Sequence, residues 1–229
     1  MGLREEIEAL PKGWNFVLVE GKGDTKKAYQ QNWRNLKQDS AKISELLKDP
    51  VNKRRASMVG VVLGEASGSL LAVDVDGQAA SNLLKERFGI ERLPMTPTIT
   101  SGKPGRFCCF YTVPDRLRDA IQHTTIKTGV KGPDGKEEAL ELRWTGQQVV
   151  AGIHPQTGNP YQWIVGFDKA GIAEAPAVLL QAMQRKERNS APLLEQLQKA
   201  PALPDEMPLE KLLARGHREL IAKGCGEGG

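Results

Sequence analysis

The stretch GSLLAVDVDG (Gly68–Gly77) decides how this chain is read. Its apolar, β-branched residues read as a buried strand that stops at Gly77. Side chains alternate along a strand, so Leu71, Val73 and Val75 face one way and Asp74 and Asp76 the other. The two carboxylates then share a face, about 7 Å apart. Ionised carboxylates buried without partners are costly, so they need cations nearby or their pKa values rise. Hard divalent ions such as Mg²⁺ meet that need through oxygen ligands. An exposed pair opening a turn at Gly77 also accounts for the two residues, which alone leave both readings open.

Other segments bear on that choice. In EALELRW (138–144), Glu141 and Arg143 share one face, and Leu140 and Leu142 the other. A third carboxylate meeting Asp74 and Asp76 across a sheet would complete a ligand set for two metal ions, although a solvent-facing Glu–Arg surface has the same pattern. Between the two strands lies TSGKPGRF (Thr100–Phe107), where Ser101 and Gly102 backbone groups with Lys103 and Arg106 form a candidate triphosphate cradle. It is not a Walker A loop, since the G-x-x-x-x-G-K-[ST] spacing is absent.

Around these motifs the chain alternates strands and short helices. A helix over Leu3–Leu10 is expected to stop at Pro11, and WNFVLVEGKG (14–23) to form a strand. SAKISELLKD (40–49) has helical spacing, with Ser40 as the expected N-cap. MVGVVLG (58–64) and the Asp-x-Asp strand are expected to pair as a hairpin through EASG. GQAASNLLKERFG (77–89) reads as a helix stopped by Gly89, with Leu83, Leu84, Arg87 and Phe88 at contact spacings. PTITSGKPGRFCCFYTV (97–113) reads as strand, loop and strand. EALELRW, QQVVAGI (147–153) and YQWIVG (161–166) are further strands, with HPQTGNP (154–160) a turn. From about Ala173 the chain becomes rich in Ala, Leu, Glu and Lys, and prolines break it into short helical pieces. The expected fold class is α+β: a mixed α/β catalytic domain over 1–185, then a helical C-terminal segment over 186–229.

The totals narrow the chemistry further. At 229 residues, 39% hydrophobic and 26% charged, the chain has the composition of an ordinary globular protein. No apolar run approaches the roughly 20 residues of a membrane span, and the N-terminus has neither a signal-peptide core nor a myristoylation pattern. Three cysteines, two of them adjacent (Cys108 and Cys109), fit neither a disulfide framework nor a zinc spacing and suit a reducing cytosol. A formal charge of +4 permits nucleic-acid binding without arguing for it. The local basic clusters of Lys26 and Lys27, and of Lys53, Arg54 and Arg55, read as a solvated face or as a groove that tracks phosphates.

In order along about 150 residues, these pieces resemble the bifunctional DNA primase/polymerase (prim-pol) family of the archaeo-eukaryotic primase superfamily. LPKGWNFVLVEGKGDTKKAYQQNW resembles its opening strand and Lys-containing follow-on, and GVVLGEASGSLLAVDVDG its first catalytic motif. SGKPGRFCCFY resembles the second motif, and LELRWTGQQVVAGIHPQTGNPYQW the third with its hairpin. The resemblance implies a primase core with a central, mainly antiparallel sheet flanked by helices. It makes Asp74, Asp76 and Glu141 the catalytic ligands of two Mg²⁺ or Mn²⁺ ions. Ser101, Gly102, Lys103, Arg106 and His154 would then hold the nucleotide, and the resemblance makes Lys26, Lys27, Lys53, Arg54 and Arg55 candidate contacts to template phosphates, with Trp33 a candidate stacking platform or a core residue. Phe107 stands where the family usually carries a His associated with the incoming phosphates, so Phe107→His is expected to improve nucleotide use if nothing has replaced that His.

The implied activity is template-directed nucleotidyl transfer, making and extending primers on single-stranded DNA from dNTPs, NTPs or both. The implied setting is a bacterial, phage or plasmid-encoded cytoplasmic protein acting as a monomer, with a helicase in the same replicon or as a fused domain. The chain itself has no helicase P-loop. Two other readings stand beside this one: a metal-dependent glycosyltransferase using Asp-x-Asp, and a catalytically inactive nucleic-acid-binding module.

Overall fold

The computed structural model describes residues 2–23, 25–185 and 206–208. In chain order the helices are α1 (Leu3–Glu8), α2 (Ser40–Leu46), α3 (Pro50–Arg55), α4 (Gln78–Phe88) and α5 (Ala177–Ala182). The first strands are β1 (Phe16–Lys22), β2 (Thr25–Ala28), β3 (Met58–Val62), β4 (Leu70–Asp76), β5 (Arg92–Pro94), β6 (Thr98–Thr100) and β7 (Arg106–Thr112). They are followed by β8 (Thr124–Lys131), β9 (Glu137–Arg143), β10 (Gln147–Gly152), β11 (Gln162–Val165), β12 (Ala173–Glu174) and β13 (Glu206–Pro208).

Two main sheets organise the α+β fold. One has the order β10-β3-β1-β2; the other runs β11-β6-β7-β4-β9-β8, with β12 added in parallel to β7. Every other pairing is antiparallel. The expected β3–β4 hairpin does not form. Between them the chain makes a one-turn 3₁₀ helix (Glu65–Ser67) flanked by positive φ at Gly64, Gly68 and Ser69. That turn passes the chain from one sheet to the other, leaving a single bridge from Gly64 to Leu70. β3 pairs with β1 and β10, and β4 with β7 and β9.

β4 is buried on both faces, which explains its nearly continuous apolar run. Leu71, Val73 and Val75 join Leu84 of α4 and Leu179 and Leu180 of α5 in one core. Leu70 and Ala72 face the first sheet and share a second core with Phe16, Leu18, Val61 and Phe110. Each such side chain, fully withdrawn from water, contributes on the order of 1.5–3 kcal/mol. The apolar filling between the sheets gives way to charge at Asp74 and Asp76, at the C-terminal end of β4.

Asp39, not Ser40, caps α2: its carboxylate accepts the Lys42 N–H (2.8 Å), and Ser40 is the first helical residue. Helix α4 ends at Gly89 as expected but buries Ala80, Ser81 and Leu84, whereas Arg87 is exposed. Its N-terminus is satisfied from a distant strand, where the Glu138 carboxylate accepts the Ala79 N–H (2.7 Å). Most of the helical segment expected over 186–229 lies outside the described residues; Glu206–Pro208 within it forms a strand on β5. Among the described residues no helix is long and apolar enough to cross a membrane.

Candidate active site

Register builds the site. In the antiparallel pairing of β4 with β9, Asp74 lies directly opposite Glu141, and directly opposed residues share a face. On the other side of β4, Asp74 is opposite Cys108 and Asp76 opposite Arg106. Three strands thus aim Asp74, Asp76, Glu141 and Arg106 at one side of the sheet. They line a cavity of about 220 Å³ together with Lys26 of β2, Gln148 of β10 and His154 just beyond β10. Both sheets therefore contribute walls. A larger, mainly apolar cavity of about 610 Å³ shares Tyr161 with it but holds none of the three carboxylates.

Two guanidinium groups counter the acidic cluster. Arg143 places Nη1 3.7 Å from Asp74 Oδ2 and Nε 3.7 Å from Glu141 Oε2, while Arg106 Nη1 lies 3.5 Å from Asp76 Oδ1. These separations bring opposite charges together without the closer fit of charge-assisted hydrogen bonds. Arg143 is instead anchored to β10, donating to the Gln147 carbonyl (2.8 Å) and the Gln148 side chain. The Asp74 carboxyl is consequently pushed up to about 7, first by burial and then by Asp76, against the pull of Arg143 and Lys26.

The three carboxylates form an all-oxygen donor set, the ligand type that a hard divalent cation takes. Among the described residues, no three His, Cys, Asp or Glu side chains already converge as closely as a bound ion requires.

The remaining expected residues divide. Lys103 and Arg106 reach the cavity, as does Ser101. The Gly102 N–H is already committed to Thr100 Oγ1 (3.2 Å), so side chains rather than this amide face the opening. His154 is buried, and its Nδ1 accepts the Gln156 and Thr157 N–H groups (both 3.3 Å), which assigns the ring proton to Nε2. Burial, and next the cations Lys26, Lys103 and Arg106, push its pKa down to about 4, so the ring is neutral at pH 7.

Lys26 separates from the other candidate template contacts. Its ammonium turns inward to Tyr161 Oη (3.2 Å), and burial lowers its pKa against the opposing effect of Asp74 and Asp76. As residues Lys26 and Lys27 are both exposed on β2, but only Lys26 reaches the cavity; Lys53, Arg54 and Arg55 form the exposed last turn of α3. Arg55 is held by Glu20 (3.1 Å) and stacks on Tyr29. Trp33 is half-buried against the second core, with Arg34 over its ring.

Phe107 borders the cavity, but its ring points away from the carboxylates. It is opposite Val75 on β4 and packs in the core with Val75 and Leu140. The residue of β7 that faces Asp74 is Cys108. A His at 107 would therefore enter an apolar core, which argues against a gain in nucleotide use. Phe107→His is expected to cost about 2–4 kcal/mol, lowering the melting temperature by roughly 10 °C, with no gain in apparent nucleotide affinity. Thermal melts and nucleotide titration of the two proteins check this.

Sequence reasoning also passed over two residues as site members. Arg143 was legible from its alternation with Glu141. Asp134, in the turn between β8 and β9, carries no local signal, yet it bonds Lys103 (2.9 Å) and Arg106 (3.3 Å).

The family model of the bifunctional DNA primase/polymerase N-terminal domain matches residues 6–178. The chain belongs to that family. Prim-pol domains are nucleotidyltransferase-type enzymes that generally use divalent metals, in keeping with an oxygen-rich cluster beside basic side chains. Comparison with the curated proteins returns no match.

Proposed function

We propose that this prim-pol domain carries out template-directed nucleotidyl transfer on single-stranded DNA, synthesising primers and extending them. The observation that carries this reading is the in-register pairing of Asp74 with Glu141 and of Asp76 with Arg106 on one face of three adjacent strands. It sets an acidic cluster beside a basic one in a single cavity.

In this reading Asp74, Asp76 and Glu141 hold two Mg²⁺ or Mn²⁺ ions. Bound there, the ions supply activation of the attacking 3′-hydroxyl and charge stabilisation at the leaving pyrophosphate. Lys103 and Arg106 bind the triphosphate through charge-assisted hydrogen bonds and orient it beside the carboxylates. His154, neutral and with its proton on Nε2, serves as a hydrogen-bond donor rather than a cation. Lys26 adds positive charge from the opposite wall. The exposed cations of β2 and α3, Lys27, Lys53, Arg54 and Arg55, are the proposed contacts to template phosphates.

A second reading, a nucleic-acid-binding module without turnover, draws on the guanidinium groups already beside all three carboxylates. Incubation with a primed single-stranded template, dNTPs and Mg²⁺ or Mn²⁺ separates the two. Primer extension is expected. Template binding with no incorporation under either metal would overturn the catalytic reading and favour the binding module.

A further inference from the structure

The turn between β8 and β9 supplies an anion where a phosphate ligand would sit. Asp134 Oδ2 accepts from Lys103 Nζ at 2.9 Å and lies 3.2 Å from Arg106 Nη2. These are the two side chains assigned above to the triphosphate, so the inference rests on that reading. All three are partly shielded from water: their side chains are 14%, 15% and 23% exposed for Lys103, Arg106 and Asp134. The hydrogen bond from Lys103 is the main reason the Asp134 carboxyl is pushed down to about 2, so it is ionised at any working pH.

We propose that Asp134 is a specificity-determining residue, which holds Lys103 and Arg106 until a ligand carries enough negative charge to replace it on both. The turn is built to present this carboxylate. Gly132 N–H donates to the Lys136 carbonyl (2.8 Å), Gly135 N–H to the Gly132 carbonyl (2.9 Å), and Lys136 N–H to Asp134 Oδ1 (3.2 Å). It is also built to yield. The β8–β9 register slips between Lys127 and Lys131, and the outer end of β8 is exposed, so few buried contacts hold the tip in place.

Displacement exchanges one set of charge-assisted bonds for another of the same kind. A ligand with a single phosphate trades like for like at two cations and gains little. A triphosphate spans both cations with charge to spare. Asp134 thereby discriminates by the number of phosphates, independently of base or sugar.

The test is equilibrium binding of dATP and dADP to the whole chain in EDTA, at fixed ionic strength, for the parent, Asp134→Asn and Asp134→Ala. In the parent, dATP is expected to bind at least about tenfold tighter than dADP. Both variants are expected to bind each ligand more tightly, dADP most, so that the dATP:dADP ratio shrinks about fivefold. Weaker binding of both ligands would show that Asp134 positions the two cations instead, and unchanged binding would show that it does neither; either result overturns the proposal. The double variant Lys103→Ala/Arg106→Ala separates this from the underlying reading. If it binds dATP as the parent does, the phosphate assignment itself fails. If it loses dATP while the Asp134 variants match the parent, only the inference on Asp134 fails.

Discussion

Asp74→Asn is expected to lower metal-dependent primer extension by on the order of 10³-fold or more, while the protein melts at or above the parent temperature. On the proposed function, rate and stability should move in opposite directions, because the charge that would hold the ion is the one that burial opposes. A carboxylate that holds an ion at the reacting phosphate supplies several kcal/mol to the transition state, and each 1.36 kcal/mol is tenfold in rate. In the folded protein the same carboxylate is buried beside Asp76 and opposite Glu141, and its raised pKa records a net penalty on its charge. Asparagine keeps the shape and removes the repulsion, so a rise of about 3 °C is in scale. Primer extension and thermal melting of the same preparation measure both. Extension at the parental rate would remove Asp74 from the chemistry, and a loss of extension accompanied by unfolding would leave the rate effect unassigned to the ion site.

Gly152→Ala is expected to cost about 3 kcal/mol or more and to lower the melting temperature by roughly 6–12 °C. Gly152 ends β10 with φ +102°, a region that L side chains rarely adopt. A Cβ there would lie 2.7 Å from Met58 Cα and closer still to the Ser57 carbonyl oxygen. Both obstacles are backbone and cannot rotate away. The residue is tied in three directions: its N–H donates to Glu6 (2.9 Å), its carbonyl accepts from Tyr161 (2.9 Å), and it pairs with Met58 of β3. A shift at this point carries His154 and Tyr161 with it, so nucleotide binding should weaken along with stability. Calorimetry or circular dichroism melts give the first quantity and nucleotide titration the second. A melting temperature within about 2 °C of the parent would mean that β3 and β10 can separate more freely than their pairing suggests.

Both substitutions show which parts of the molecule could be read in advance. Period-two alternation identified the faces of β4 and β9, because the side-chain direction of a strand is a local property. It therefore placed Asp74 with Asp76, and Glu141 with Arg143, before any pairing was known. The same rule, followed one strand further, separates Phe107 from the carboxylate face, which a match of position 107 to a motif does not reveal. The β3–β4 connection misled for another reason. Four turn-forming residues between two apolar runs suit a hairpin as well as a crossover between sheets, and the choice depends on which distant strands compete for each edge.

The sequence by itself pointed to the α+β class through its alternating strand and helix signals, to the family through a resemblance along about 150 residues, and to Asp74, Asp76 and Glu141 as carboxylates on strand faces, a property set within a short window. The tertiary structure alone decided that Asp74 stands opposite Glu141, that the Lys26 ammonium reaches Tyr161 beside the cavity, and that Asp134 reaches across to Lys103. Those facts depend on strand register and on how two sheets meet, contacts between residues as many as 135 positions apart that no local pattern encodes.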